Sequence, residues 1–275
     1  MSSVWLKIGI RLKMYAARYM KWRSTPSLSL WRTLVVNFYF LPFRQAKKLP
    51  IYVYGGLKIT KFIGCMEIVC QAAEMSRGMI RINAPSEAPG LGEGNTEIVL
   101  GHGKIIFEGQ AFIGRGSKLL LWGGGVLRIG NNAFISNGVM ISCSESICLG
   151  HNLRMGHQCQ IMDTNFHYTY NTDKRKVRRN NSSIVLGHHC WIGSRSSIMK
   201  GVELPAYTTV ASNSLVNSNI TSQERTLIGG LPAKLLKDSF SRVFNFEQEC
   251  KIAEFFSKNP SAKEYILTES LDQYD

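Results

Sequence analysis

Large aliphatic residues recur every six positions in the second half of this sequence. The longest unbroken series is Leu186, Ile192, Ile198, Leu204, Val210 and Val216. Smaller residues sit four places after most of them, at Cys190, Ser196, Val202, Thr208 and Ser214. A period of six matches neither a helix nor a simple strand. It matches a chain that makes one short strand and one tight turn per six residues, so that three hexads complete a triangular coil.

This pattern predicts an all-β solenoid whose coils stack and whose strands pair in parallel. The large aliphatic should point into the prism, and the smaller residue should lie near a corner. Glycine directly follows the aliphatic at several places, among them Gly130, Gly150, Gly187 and Gly193, where we expect it to accommodate the turn's backbone. Before residue 98 the spacing is loose, which predicts irregular first coils.

The charge balance of the chain favours an anionic partner. Lys and Arg exceed Asp and Glu by 14 over 275 residues, which suits nucleic acid, anionic lipid, a polyphosphate cofactor or an acidic glycan. No nucleic-acid-binding motif accompanies the charge, so we expect no nucleic-acid partner. Seven cysteines without a CxxC pair indicate reduced thiols. No apolar run or cleavage site predicts a transmembrane helix or signal peptide, so we expect a cytoplasmic protein, soluble or peripheral on the membrane's inner face.

The six-residue count breaks off at residues 163–185, "DTNFHYTYNTDKRKVRRNNSSIV". A solenoid can extrude a loop at a corner without disturbing the stack, because each coil contacts only its neighbours. Loops on rigid scaffolds often carry chemistry. We therefore predict that residues 163–185, which we call the histidine loop, leave the prism and present His167.

Three segments together resemble the hexapeptide-repeat acyltransferases, which fold as a left-handed parallel β-helix. They are "LGHHCWIGSRSSIMKGVELPAYTTVASNSLV" at 186–216, "GGLPAKLLK" at 229–237 and "DTNFH" at 163–167. The resemblance covers roughly residues 98–236. The segment "TLVVNFYFLPFRQAKKLPIYVYG", from residue 33, resembles the lead-in of members from capsule and lipopolysaccharide gene clusters.

The resemblance implies that His167 is the general base, which takes a proton from the acceptor hydroxyl and passes it to the departing thiolate. An imidazole with an ordinary pKa of about 6.5 suits that task at neutral pH. Asp163 or Asn165 would hold the ring in one tautomer. Many members of the family have a second acidic residue where this chain has Asn165.

The family binds coenzyme A in a groove between adjacent β-helices, with acetyl-CoA as the implied acyl donor. By motif match, Trp191 and Ser194 would line the upper groove. Ala211, Ser212 and Ser214 would lie along the pantetheine arm. The adenine and its phosphate would approach Pro232 and Lys234, with Lys237 as a further phosphate ligand. Ser218 stands where the family often has a basic residue, so one phosphate contact is missing or comes from elsewhere.

We divide the chain into a basic, partly helical segment at 1–50, the β-helix with its histidine loop at 51–220, and a C-terminal extension with a helix at 221–275. Residues 3–23 place six apolar and aromatic residues on one helical stripe between cations. Such a helix suits an anionic bilayer surface, or alternatively packs on the first coil or on a partner subunit.

The function implied is O-acetylation of a sugar hydroxyl in a bacterial surface polysaccharide or its lipid-linked precursor, by a homotrimer without a covalent intermediate. Two alternatives stay open: N-acylation of an amino sugar nucleotide, and a non-catalytic β-helix assembly module. A zinc site of three histidines requires a close pair four or five residues apart, whereas His151, His157 and His188 are spaced by 6 and 31. We expect no metal.

Overall fold

The computed structural model describes residues 26–71, 74–84 and 94–267. Three parallel sheets run along the chain and form the sides of a left-handed triangular prism, as the hexad spacing predicts. Each coil contributes one strand to each sheet in turn. The sheets meet at three corners, where the chain passes from the first sheet to the second, from the second to the third, and from the third back to the first.

Strands of the prism recur in each sheet about once per coil. The first sheet contains β1 (Ile51–Val53), β4 (Ile80–Ala84), β7 (Ala111–Gly114), β10 (Ala133–Ile135), β13 (Arg154–Met155), β18 (Trp191–Ile192), β21 (Thr209–Val210), β23 (Leu227–Gly230) and β24 (Ala233–Lys237). The second contains β2 (Leu57–Thr60), β5 (Thr96–Leu100), β8 (Lys118–Leu121), β11 (Met140–Cys143), β14 (Gln160–Met162), β19 (Ser197–Met199) and β22 (Leu215–Val216). The third contains β3 (Cys65–Ile68), β6 (Lys104–Phe107), β9 (Val126–Ile129), β12 (Ser146–Leu149), β17 (Ile184–Leu186) and β20 (Glu203–Leu204).

Columns of aliphatic side chains fill the prism along its axis. In the second sheet the strand register aligns Ile59, Ile98, Leu119, Ile141, Ile161, Ile198 and Val216. The hexad positions from Leu186 to Val216 are buried, and so are the smaller residues four places later. Each buried Leu or Ile contributes roughly 1.5–3 kcal/mol by leaving water. The loose sequence before residue 98 still forms the first coil, with β1, β2 and β3 paired to the coil above.

The glycines that follow the hexad aliphatics are required for a different reason from the one that the sequence analysis gives. They do not adopt left-handed backbone, which instead occurs two residues later at side-chain-bearing positions such as Asn152 and His189. A Cβ atom on Gly150 would lie 2.5 Å from the carbonyl carbon of Gly187, and one on Gly187 would lie 2.5 Å from the amide nitrogen of Ala206. Glycine is therefore required because successive coils approach too closely there for a side chain.

A helix closes the N-terminal end of the prism. Helix α1 (Leu30–Phe40) lies on β1 and is followed by the short helix α2 (Phe43–Ala46). The Asn37 side chain donates to the Ile51 carbonyl and accepts from the Ile51 amide, and the Thr33 hydroxyl accepts from the Val53 amide. These side chains satisfy the open edge of β1, which would otherwise expose unpaired backbone groups. Residues 3–23 lie outside the described ranges.

The C-terminal residues pack over the last coils. Strand β24 pairs antiparallel with β23, so the first sheet continues to Lys237. Helix α3 (Phe246–Lys258) begins at Asn245, whose side chain accepts from the amides of Glu247 and Gln248. Of the helices within the described ranges, none has the length and hydropathy that crossing a membrane requires.

Candidate functional site

The histidine loop leaves the prism at the second corner. The chain departs after β14 and returns at β17. Between them, β15 (Tyr170–Asn171) and β16 (Lys176–Val177) form a small antiparallel hairpin. An isolated bridge joins Thr164 to Asn181, and the Asn165 amide donates to the Asn180 carbonyl, so the two ends of the loop are held together.

Asp163 anchors the base of the loop. Its side chain is fully buried, and its two carboxylate oxygens accept from the amides of Ser144 and Glu145, each at 2.7 Å. Those amides belong to the same corner of the coil below. The carboxylate is thus bonded to backbone, and the structure does not bring it together with the His167 ring. The orienting role assigned to Asp163 stays a prediction without a contact in the single chain.

His167 lies on the exposed part of the loop. Its amide donates to the Asn165 carbonyl at 2.7 Å in a tight turn, and both side chains are exposed. The flanking aromatics Phe166, Tyr168 and Tyr170 are also exposed. The ring is therefore neither tucked into the prism nor covered by the rest of the described chain, and an acceptor can reach it from solvent.

Four of the eight predicted donor residues, Ser194, Ala211, Ser212 and Ser214, lie at the first corner. The Ser194 hydroxyl is 3.0 Å from His157 Nδ1, in the coil below. Gly193 allows the next coil to approach, because a Cβ there would lie 2.5 Å from the Ser212 amide nitrogen. The Ser212 side chain is exposed on the last full coil. Sequence reasoning did not select His157, whose only signal was its outward corner position.

Ala211 and Ser214 are engaged within the protein. The Ala211 amide donates to the Ile228 carbonyl, and its own carbonyl accepts from the hydroxyls of Ser196 and Ser214. The buried Ser214 hydroxyl also accepts from the Gly230 amide. These bonds hold the β23–β24 hairpin against the first corner. Ser214 consequently shapes the groove, and contact with a donor through its hydroxyl stays a prediction.

The hairpin from β23 to β24 carries the remaining predicted donor residues. Pro232 lies at its tip, and Lys234 and Lys237 lie on β24; all three side chains are exposed. Strand register sets Lys234 opposite Gly229, and a Cβ on Gly229 would lie 2.8 Å from the Ala211 side chain. The hairpin therefore brings Lys234 beside the corner that holds Ser194 and Ser212, whereas Lys237 lies opposite Leu227 at the other end of β23.

Trp191 lies on β18, the strand that leads into that corner, with its ring on the outer face of the first sheet. The Arg242 guanidinium lies 5.5 Å from the centre of its ring and 3.7 Å from the Glu249 carboxylate. The indole is 37% exposed. The C-terminal segment thus covers part of this ring, which the sequence did not predict.

Within one chain, the second sheet separates His167 from the donor corner. The loop leaves at the corner beyond this sheet, and Ser194 and Ser212 lie at the corner before it, one to two coils higher. The upper strands of this sheet, β14, β19 and β22, are two or three residues long and span roughly 7–10 Å. A catalytic imidazole must come within about 3 Å of the reacting group. The predicted base and the predicted donor residues thus lie at different corners of the described chain.

A curated relative matches about half of this chain. The chain is 27% identical over 143 residues to a protein of Escherichia coli K12 that is assigned to lipopolysaccharide biosynthesis as the O-acetyl transferase WbbJ; the match covers 49% of this chain and 72% of the relative. The chain is thus similar to an acyltransferase. No family model matches it.

Solved structures of other acyltransferases align with less similarity. The polySia-specific acetyltransferase NeuO is 17% identical with a TM-score of 0.45, over 76% of this chain and 99% of NeuO. A hexapeptide-repeat acetyltransferase of Vibrio cholerae O1 biovar eltor, solved with acetyl-CoA, is 25% identical with a TM-score of 0.41, over 49% of this chain and 70% of its own.

The seven cysteines are free thiols. Burial raises the pKa of Cys159 to about 11 and that of Cys190 to about 12. Burial and the nearby Asp163 charge also raise the pKa of Cys143. Because a thiolate is the nucleophilic form, these three side chains are poor nucleophiles at neutral pH.

The outward histidines of the third corner bond to backbone and to each other. His151 Nδ1 accepts from the Asn131 amide, and His188 Nδ1 accepts from the His151 amide. The two rings stack with their centres 4.7 Å apart. Within residues 26–71, 74–84 and 94–267, no group of three or more His, Cys, Asp or Glu side chains is arranged to hold a metal ion.

Proposed function

We propose that this chain transfers an acetyl group from acetyl-CoA to a sugar hydroxyl of a bacterial surface polysaccharide or its lipid-linked precursor. The observation that carries the proposal is that one coil stack presents both an exposed imidazole on a loop and, at another corner, exposed Ser212 beside a hairpin that carries Lys234. The relative assigned to lipopolysaccharide biosynthesis supports this class of acceptor. The seven free cysteines fit a reducing, cytoplasmic compartment.

The chemistry needs one proton shuttle. The His167 imidazole takes the proton of the acceptor hydroxyl while the oxygen forms a bond to the thioester carbonyl carbon. The tetrahedral intermediate then collapses, the carbon–sulfur bond breaks, and the imidazolium gives its proton to the departing thiolate. The products are the sugar ester and the free thiol of coenzyme A. No residue of the chain is acylated.

The histidine loop has the features that an acidic glycan requires. Its hairpin carries five cations, Lys174, Arg175, Lys176, Arg178 and Arg179, against the single acid Asp173. Exposed aromatic rings offer flat surfaces on which sugar rings can stack. A negatively charged acceptor would therefore be attracted to the side of the prism on which His167 lies.

An acceptor panel tests the proposed reaction directly. Thiol release from acetyl-CoA should rise with acidic and neutral bacterial polysaccharides or their oligosaccharides. If only amino sugar nucleotides with a free amine stimulate release, the enzyme is an N-acyltransferase. If no acceptor stimulates release and acetyl-CoA does not protect the protein against heat, the chain is an assembly module and the proposed function is wrong.

We further propose that the enzyme is a trimer whose sites lie between subunits. A head-to-tail interface that closes into a ring would set the second corner of one copy beside the first corner of the next. Each of the three sites would then take His167 from one subunit and the Ser212 groove from its neighbour.

Subunit complementation tests this shared site. His167→Ala and Ser212→Trp, which fills the groove, should each be inactive alone. Co-expressed with different tags and purified through both tags as mixed oligomers, they should recover about a third of the parent rate, because every mixed trimer joins an intact histidine to an intact groove at one of its three sites. Mixed oligomers as inactive as either variant would place the whole site in one chain.

Lys234 should act on donor binding rather than on the chemical step. Lys234→Ala should raise the KM for acetyl-CoA by roughly tenfold and change kcat little, because a lost phosphate contact weakens ground-state and transition-state binding equally. With acetyl-dephospho-CoA as the donor, the variant and the parent should have similar KM values. Lys263→Ala, an exposed lysine of the C-terminal extension, is the control. A fall in kcat at unchanged KM would show that Lys234 does not bind the donor.

A further inference from the structure

Helix α1 exposes most of its apolar side chains. The side that faces the prism carries Val36 together with two polar residues, Thr33 and Asn37, which are buried there and bond to β1. The side that faces away is apolar, and it carries Leu30, Trp31, Leu34, Val35, Phe38 and Tyr39. A surface helix normally turns its apolar side toward the core and its polar side toward water. In α1 the polar residues of the inner side bond to the edge of β1, and most of the apolar residues face outward.

The apolar surface extends beyond the helix. Phe43, Phe62 and Ile63 continue it, and each of the nine side chains is between 42% and 75% exposed. The Phe38 and Phe43 ring centres are 6.2 Å apart, and those of Tyr39 and Phe62 are 5.8 Å apart. We call these nine residues the N-terminal apolar patch. Isolated apolar residues on a surface are ordinary, whereas a contiguous patch of this kind marks an interaction site.

The charge of the whole chain is concentrated in the same region. The first 66 residues contain 12 Lys and Arg and no Asp or Glu, so they supply 12 of the net +14 charges. Among the described residues, Arg32, Arg44, Lys47, Lys48 and Lys61 belong to this set. The remaining 209 residues have 21 cations and 19 anions and are nearly neutral. The apolar patch consequently belongs to the most cationic part of the molecule.

We infer that the N-terminal apolar patch docks the end of the prism onto an anionic lipid bilayer. Aromatic and aliphatic side chains in a segment of cations without acids match the chemistry of such a surface, since the rings enter the headgroup region and the cations meet lipid phosphates. A second copy of this chain fits less well, because pairing two such surfaces would set the cations between residues 32 and 61 of one copy, of which Lys58 pairs with Glu97, against the same cations of the other. A nucleic acid would leave the aliphatic part of the patch without a partner.

Docking would also fix the height of the proposed active site above the membrane. Helix α1 lies on the first coil, and the histidine loop leaves the fifth. Four coil steps at the spacing of neighbouring strands amount to roughly 19 Å. An acceptor glycan anchored in the bilayer would extend toward His167 across this distance. Only this last step rests on the proposed function; docking itself does not.

Vesicle flotation of the full chain tests the inference. Binding to vesicles of phosphatidylcholine with about 30% phosphatidylglycerol should be at least roughly tenfold stronger than to phosphatidylcholine alone and should weaken with salt. Trp31→Ala/Phe43→Ala should reduce binding by about tenfold or more. The matched control Phe246→Ala/Ile266→Ala removes two exposed apolar side chains from the C-terminal extension and should bind like the parent.

Three outcomes would contradict docking. The first is equal binding to both vesicle types, and the second is unchanged binding of the patch variant, Trp31→Ala/Phe43→Ala. The third is a smaller oligomer for the patch variant, which would assign the patch to a subunit interface. Circular dichroism and melting confirm that the variants fold. Acetyl transfer to a soluble acceptor should be unchanged in the patch variant. Loss of vesicle binding with intact transfer in the patch variant separates this inference from the proposed function. A parent chain that binds vesicles but transfers acetyl to no acceptor would contradict the function alone.

Discussion

His167→Ala should lower kcat by about 10²–10⁴-fold, because a positioned general base contributes that much to proton transfer. The side chain is exposed on the histidine loop, so its removal leaves no cavity and should change neither the melting temperature nor the oligomeric state. Acetyl transfer to the best acceptor of the panel, with coenzyme A thiol release as the readout, measures the effect. Added imidazole should restore part of the rate, since an exposed site admits a small base.

His102→Ala is the matched control for this variant. His102 is also exposed at the second corner of the prism, between β5 and β6, three coils below the loop. Its replacement should leave the rate within about twofold of the parent, because a distant side chain takes no part in the proton transfer. A His167→Ala enzyme that retains turnover within a few fold, or one that imidazole cannot rescue and that melts earlier, would show that the ring is not the base.

The hexad spacing carried most of the fold prediction. Six consecutive aliphatics at equal spacing leave few other folds, because neither a helix nor a flat sheet would bury all of them. Leu186, Ile198 and Val216 accordingly lie inside the prism. The first coil could be anticipated only loosely, because it is held partly by helix α1, and the bonds from Asn37 to Ile51 have no signature in sequence spacing.

The sequence names candidate site residues one by one but does not indicate their arrangement. The motifs at 163–167, 186–216 and 229–237 select the residues, and they cannot indicate that His167 and Ser194 lie at opposite edges of one sheet. The sequence also does not show which polar side chains are bonded to the backbone. Ser214 and Asp163 look like functional polar residues in the sequence, and in the structure both are buried against amides or carbonyls. The sequence analysis also assigned the wrong reason to the glycines that follow the hexad aliphatics, because one hexad does not show how closely it approaches the next coil.

Two roles are open for Asp163, and the sequence does not distinguish them. As an orienting partner of His167, its loss would reduce turnover and leave the fold intact. As an anchor, it satisfies the buried amides of Ser144 and Glu145, and its loss would damage stability first. The bond lengths of 2.7 Å, its complete burial and the exposure of the His167 ring favour the anchor.

Asp163→Ala should accordingly destabilise the protein by about 3–5 kcal/mol, because two buried donors lose a charged acceptor. We expect the melting temperature to fall by roughly 10 °C, and transfer to decline because the loop loses its attachment to the coil below. Asp173→Ala, the same residue type at the exposed tip of the same loop, should leave both unchanged. Asp163→Asn should lie between the parent and the alanine variant, since its amide oxygen can accept from one backbone donor while its NH2 group faces the other. If the alanine variant instead melts like the parent and loses only turnover, Asp163 orients His167 and does not anchor the loop.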